Sequence, residues 1–362
     1  LPNGTHLVIA LRQAGVRVQC LFAPEHGIWG THQDLEPLGK RLPKDPVLRL
    51  PVVSLYGDAV ESLSPDPHHL LGLDAVIVDL QDVGARYYTF VWTVAKLMEV
   101  ATKTETLLWI LDRPNPLNGV TLEGPIGRPE FRSFVGYHPV PVRHGMTMGE
   151  MARWLAGSFE EFEGVNLKVV PMTGWRRNFF WRHTGLPWLN PSPNMPGPDT
   201  AMVYPGMCLL EGTNVSEGRG TTRPFEQFGA PWMNPIALME KVGAVAGAKL
   251  LPAVFKPTSG KFASKMCSGG LWLVLDPSGF SPFLAGLKVL AAMIALYPAQ
   301  FRWRSPPYEF EEKKPPIDIL LGTNEIREAL ESGAAPEDFA SSWHDELAAF
   351  SEARAPFLLY PD

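Results

Sequence analysis

The chain is 362 residues long, more than one hydrophobic core usually organises, so two domains are expected. Hydrophobic residues make up 45% and charged residues 19%, which excludes a disordered or fibrous chain. The net charge is −6 with Lys and Arg dispersed, so there is no basic footprint for nucleic acid, and no apolar run reaches the roughly 18 residues of a membrane-spanning segment.

In chain order, residues 5–14 are expected to form a short helix, after Leu1 to His6, which show neither the charged nor the apolar region of a signal peptide. Val16 to Phe22, Pro51 to Leu55, Asp74 to Leu80 and Leu107 to Leu111 have the length and apolarity of buried strands. Between the last two, Phe90, Val94, Leu97 and Ala101 recur at helical spacing within Tyr88 to Ala101. Strands alternating with a helix imply a parallel sheet with right-handed crossovers. Thr147 and Glu150 have the spacing of a capping box, so Glu150 is assigned to structure. Pro114 to Pro125, Pro187 to Pro198 and Ser305 to Pro316 are proline-rich ordered loops, and Trp188 to Trp232 is read as loop throughout. Beyond Asn234, a helix over Pro235 to Ala246, strands at Leu251 to Phe255 and Leu271 to Leu275, and an apolar helix over Pro282 to Leu296 are expected. Cys20, Cys208 and Cys267 lie far apart without a C-x-x-C pair and read as buried thiols. The expected fold class is therefore α/β: a Rossmann-like, mostly parallel sheet domain over residues 1–232 and a second, smaller α/β (α+β) domain over 233–362.

Ligands of open parallel sheets bind at the carboxyl ends of the strands. There the sequence delivers Ala23-Pro24-Glu25-His26-Gly27, then Asp79 to Arg86, then Asp112-Arg113-Pro114-Asn115-Pro116. No G-x-G-x-x-G or P-loop motif occurs, so no nucleotide cofactor is expected. The loops of Trp188 to Trp232, including Asn194 and Glu211 to Thr221, are rich in hydrogen-bonding groups and suit a sugar. Glycoside hydrolysis requires a carboxylic acid for the leaving oxygen and an anionic or nucleophilic group opposite it. Glu25, at a strand end beside Phe22, Ile28 and Trp29, is the first candidate for the acid. Asp79, Asp82, Asp112, Glu123, Glu211 and Glu217 are the candidates for the second group, and spacing alone does not rank them. Tyr87, Tyr88, Trp175 and Trp232 are candidate stacking platforms. His26 and His144 with Asp79, Asp82 and Asp112 offer metal donors, but without recognisable ligand spacing, and no metal is expected.

Taken together, Phe22 to Gly27, Ser54 to Gly57, Asp79 to Thr89, Leu111 to Pro116, Arg143 to Thr147, Pro191 to Pro196 and Glu211 to Thr221 resemble, collinearly, the DUF1343 family of NamZ- or YbbC-like exo-β-N-acetylmuramidases. The resemblance implies a Rossmann-like domain, a smaller domain closing a cleft, and catalysis by glutamate, with the Pro-Glu-His-Gly glutamate falling on Glu25. It implies as substrate a peptidoglycan saccharide such as N-acetylmuramyl-N-acetylglucosamine. Many family members are exported and begin with an additional strand.

For such a substrate Glu25, Asp82, Glu217 and Glu123 are the candidate catalytic residues, with Asp82 or Glu217 able to orient a participating 2-acetamido group. The lactyl carboxylate calls for an arginine, supplied by Arg86, Arg113, Arg143 or Arg219. His26, Tyr88, Asp112, Asn115, His144, Asn194 and Asn214 complete the expected binding set. The competing readings are a carbohydrate-binding module without catalysis and a metal-dependent hydrolase built on Asp79, Asp82, Asp112 and His26.

Overall fold

The structure, a computed structural model, describes residues 1, 3–39 and 43–362. It opens with α1 (Leu7–Gln13), whose first turn is capped by the His6 side chain. The run from Val16 pairs only at its end, as β1 (Leu21–Ala23), parallel to β2 (Val52–Ser54). This is shorter than the seven-residue strand expected from apolarity, because β2 offers a partner for three residues only.

The next parallel layer follows the sequence pattern closely. β3 (Ala75–Val78) pairs with β4 (Leu107–Leu111), and between them runs α2 (Phe90–Thr104), which buries Phe90, Val94, Leu97 and Ala101 as the helical spacing requires. Glu105, in the left-handed region, stops that helix. A short antiparallel pair, β5 (Glu123–Ile126) and β6 (Pro141–Arg143), precedes α3 (Met148–Ser158). Both reciprocal bonds of the expected capping box form between Thr147 and Glu150. β7 (Leu167–Val170) then extends the layer to a parallel order β3-β4-β7.

Within the stretch read as loop, Pro198–Met207 forms α4, with Pro198 in its first turn. Loop-like composition was misleading here, since proline at the start of a helix loses no bond and the buried Ala201, Met202, Val203 and Met207 carry the packing. The remaining strands, β8 (Gln227–Ala230), β9 (Ala248–Phe255) and β10 (Cys267–Val274), form an antiparallel sheet of order β8-β10-β9. β8, on the near side of residue 232, thus pairs with β10 on the far side.

α5 (Pro235–Val242), capped by Asn234, packs on this sheet, and α6 (Pro282–Leu296) packs against α4 and α5. Gly206 of α4 and Gly286 of α6 meet backbone to backbone, an approach that any Cβ would prevent. α7 (Pro316–Leu321), α8 (Glu325–Glu331), α9 (Pro336–Ala340) and α10 (His344–Arg354) complete the chain.

One continuous apolar core joins α2, α3, α4 and α6. The C-terminal tail returns to the parallel layer: the Tyr360 hydroxyl donates to Asp112 at 2.5 Å, the Leu359 amide donates to Glu150, and Arg354 donates to the carbonyls of Gly119, His144 and Gly145. Cys208 and Cys267 are buried and Cys20 is half-buried.

Candidate active site

Five stretches of chain converge on one acidic cleft. β1 delivers Glu25 and His26, and the turn after them delivers Asp34. The start of α2 brings Tyr88 and Thr89. Glu211, Glu217 and Arg219 come from the segment joining α4 to β8, and Lys261 and Phe262 from the β9–β10 connection. The proline-rich loop between α6 and α7 adds Arg304, Tyr308 and Glu309.

The cleft has two adjoining parts that share Asp34, Glu211 and Arg219. The inner part is a narrow recess of about 30 Å³ containing Glu25, His26, Tyr88, Asn194 and Glu309. The outer part is an open chamber of about 740 Å³ bordered by Asn214, Glu217, Trp232, Lys261, Phe262 and Arg304. That volume is within the few hundred to ~1,000 Å³ of small-ligand sites, whereas the recess holds only a reacting atom or a water.

In the recess, Glu25 is buried and its Oε2 accepts a 2.6 Å bond from the Thr89 hydroxyl. Glu309 is also buried, accepting from the Tyr56 hydroxyl at 3.2 Å, and Tyr56 faces Glu25 as well. Burial drives the Glu309 carboxyl well above the usual range, and the charges of Glu25, Glu211 and Asp34 add to the rise. Its backbone is strained: Glu309 and Phe310 have φ of 45° and 65°, in a turn closed by reciprocal bonds between Tyr308 and Glu311. Such conformations cost on the order of 1–3 kcal/mol each and persist where surrounding structure enforces them. His26, at φ 70°, donates through Nδ1 to the His32 carbonyl at 3.0 Å, which fixes the orientation of its ring.

At the boundary with the chamber, one guanidinium organises three carboxylates. Arg219 lies 2.7 Å from Glu211, 3.0 Å from Asp34 and 3.4 Å from Glu217, with its face over Phe225. Glu217 also receives Lys261 at 2.9 Å, and Glu211 receives the Tyr308 hydroxyl at 2.6 Å. Burial alone would raise Glu211, but Arg219 and the Tyr308 bond outweigh it and hold that carboxyl below its ordinary value. Asp34 goes the other way: its desolvation, with the neighbouring Glu211, Glu217 and Glu25, exceeds the help from Arg219 and raises it.

Several residues expected at the site are committed elsewhere. Arg86 is fully buried and donates to the carbonyls of Pro125, Val140 and Leu320, so it braces the fold and does not reach the cleft. Arg143 is likewise buried, donating to the Leu117 carbonyl. Glu123 accepts from the Leu284 amide behind β5, where burial raises its carboxyl to about 7 despite Arg143 nearby. Asp112 is taken up by Thr147, the Gly149 amide and Tyr360 at the start of α3. Arg113 pairs with Asp79 at 2.7 Å.

Asn115 bonds the Met146 carbonyl and the Leu117 amide, and it lies so close to Gly84 (φ 80°) that no side chain fits there. Asp82 caps the Gly84 amide and stands 3.3 Å from His144, both buried. Asp79, Asp82, Asp112 and His26 therefore have four separate sets of partners. Asn194 reaches the recess but bonds Gln33, and Asn214 spends its amide on the Gln300 carbonyl and the Arg302 amide. Trp232 borders the chamber, whereas Tyr87 lines the recess and donates to the Pro205 carbonyl, and Trp175 packs against Tyr360.

The site also contains residues that sequence reasoning did not select: Asp34, Tyr56, Lys261, Arg304, Tyr308 and Glu309. Of these, Tyr56 falls in the family-like stretch Ser54 to Gly57, and Arg304, Tyr308 and Glu309 fall at or beside the proline-rich loop Ser305 to Pro316; Asp34 and Lys261 carried no signal.

Comparison with known proteins matches the architecture along its whole length. Residues 2–199 match the family model "Exo-beta-N-acetylmuramidase NamZ, N-terminal", and residues 202–360 match its C-terminal counterpart. The peptidoglycan β-N-acetylmuramidase NamZ of Bacillus subtilis (strain 168) is 38% identical over 347 residues, covering 95% of this chain and 80% of that protein. Two crystal structures of DUF1343 family proteins from Bacteroides fragilis NCTC 9343 superpose with TM-scores of 0.85 and 0.75 at 29% and 27% identity. They cover 99% and 100% of this chain, and 91% of each of theirs. By sequence over nearly its full length and by fold, the chain belongs to the NamZ family of exo-β-N-acetylmuramidases.

Proposed function

We propose that the protein hydrolyses terminal, non-reducing β-linked N-acetylmuramic acid from peptidoglycan fragments such as N-acetylmuramyl-N-acetylglucosamine. The observation that carries this reading is the paired state of Glu25 and Glu309. Glu25 and Glu309 face one tyrosine hydroxyl in a narrow recess, and burial together with the charges of Glu25, Glu211 and Asp34 raises the Glu309 carboxyl and so favours its protonated form. Glu25, fixed by Thr89, is the carboxyl placed to act as the acid toward the leaving glycosidic oxygen, and Glu309 stands beside it in the recess.

Glu211 and Glu217 supply the other half of the chemistry. Arg219 holds Glu211 below its ordinary value, Arg219 and Lys261 both pair with Glu217, and positive charge developing at the anomeric carbon is stabilised by such preorganised anions. The pyranose occupies the chamber against Trp232 and Phe262, with its scissile bond at the boundary where Asp34, Glu211 and Arg219 meet. We also propose that the segment ending near residue 232 and the segment beyond it are two lobes that share this cleft.

The test is release of nitrophenolate from the 4-nitrophenyl β-glycosides of N-acetylmuramic acid and N-acetylglucosamine, with the Glu25→Gln variant alongside. Turnover of the muramic substrate alone, abolished in E25Q, is expected. Equal hydrolysis by E25Q would remove Glu25 from the mechanism. Saturable binding of muramic acid with no turnover would leave a carbohydrate-binding module.

A further inference from the structure

N-acetylmuramic acid differs from N-acetylglucosamine by a lactyl ether carrying a carboxylate, so a selective site presents a cation to it. Three cations border the chamber, and two of them are already fully engaged. Arg219 is divided among Asp34, Glu211 and Glu217. Lys261 places its three N–H donors on the carbonyls of Leu210 and Val215 and on Glu217, at 2.8, 3.1 and 2.9 Å. The third is Arg304. Its guanidinium stands 5.3 Å over the ring of Tyr308, is half-buried, and among the described residues has no carboxylate within ion-pair distance.

The backbone beneath Arg304 is rigidly held. The Arg304 amide donates to the Gly212 carbonyl at 2.8 Å, the Asn214 amide donates to the Arg302 carbonyl, and the Asn214 side chain closes the loop by accepting from the Arg302 amide and donating to the Gln300 carbonyl. Asn214, expected from sequence to touch substrate, is thus a positioning residue for the segment that carries the free arginine. Tyr308, on which that arginine rests, donates to Glu211, so the cation stands one residue away from the reacting carboxylates.

We propose that Arg304 is the specificity-determining residue that receives the substrate's lactyl carboxylate, in the bidentate geometry a guanidinium offers a planar anion. The assignment rests on the exo-muramidase reading above. A neutral sugar leaves the guanidinium without a counter-charge in the occupied chamber, and this sets the preference for the acidic sugar.

The experiment compares the wild-type chain with Arg304→Gln and Arg304→Lys on 4-nitrophenyl N-acetyl-β-muramic acid and on its lactyl methyl ester. R304Q is expected to raise KM for the acid on the order of 10- to 100-fold, with kcat little changed, and to abolish the discrimination between acid and ester. R304K is expected to restore part of that discrimination through its charge. An acid-to-ester ratio of kcat/KM in R304Q within twofold of wild type overturns the proposal. Calorimetric binding of free N-acetylmuramic acid and N-acetylglucosamine to wild type and R304Q separates the two readings. If the wild type binds the acid but does not turn over its glycoside, the muramidase reading fails alone. If R304Q retains the wild-type preference for the acid, the assignment of Arg304 fails alone.

Discussion

The raised carboxyl in the recess predicts a stability signature that is independent of activity. In the folded chain Glu309 is held well above its ordinary value, chiefly by burial, whereas in the unfolded chain it titrates near ~4.3. The folded state therefore binds a proton that the unfolded state has lost, over a window that opens just above pH ~4.3 and extends to the raised folded value. The stability from this group is fully present below the unfolded pKa and is lost as pH rises through the window. The loss is about 1.4 kcal/mol per pH unit.

Glu309→Gln keeps the shape and the neutrality of the side chain but cannot release a proton, so the neighbouring Glu25, Glu211 and Asp34 face an unchanged charge. Urea unfolding of wild type and E309Q at pH 5, 6 and 7 isolates the effect, since all other titrations are common to both. The variant is expected to gain on wild type as pH rises from 5 to 7, by up to about 1.4 kcal/mol for each pH unit below the raised folded value, while its kcat on the muramic glycoside falls at least ~100-fold for want of the Glu309 proton. A stability difference that stays flat across this range would show that Glu309 is ionised in the folded protein, and the proposed role of its proton would fall with it.

Two further substitutions separate structure from chemistry. Arg86→Met strands the carbonyls of Pro125, Val140 and Leu320 in the core and is expected to destabilise by about 3–5 kcal/mol by thermal or urea unfolding. Its preference for muramic over glucosamine substrate, measured on the folded fraction, is expected to be unchanged, and a lost preference would return Arg86 to the lactyl site. Thr89→Val removes the hydroxyl that fixes Glu25 and is expected to lower kcat roughly tenfold with KM nearly constant. An unaltered kcat would mean that the Thr89 bond does not position the acid.

What the sequence disclosed follows the range over which its signals act. α2, α3 and α6 were legible because their apolar spacing or caps are local, and α6 occupies the expected Pro282 to Leu296 without adjustment. Glu25 was legible because a strand end fixes which side chain faces the ligand edge. The arginines were not, because a guanidinium in a loop and one spent on buried carbonyls look the same in sequence. Only the fold shows that Arg86 meets Leu320, 234 positions away. The proline-rich loop marked Glu309 and Arg304 only by neighbourhood, since the meeting of Glu309 with Tyr56, 253 positions away, is a long-range fact that no period or cap encodes. α4 was missed because loop-like composition masked a helix whose burial comes from α6.

The returning C-terminal tail has a consequence for how the molecule can be divided. A cut between the two segments matched at 2–199 and 202–360 falls in the first turn of α4, and it parts Asp112 and Glu150 from the Tyr360 hydroxyl and Leu359 amide that complete them. The amino-terminal fragment would retain two carboxylates placed under a cover it no longer possesses. The boundaries that sequence families draw are therefore not lines along which this protein can be taken apart: the halves are expected to melt as one unit and to regain activity as separate chains only if mixed before they fold.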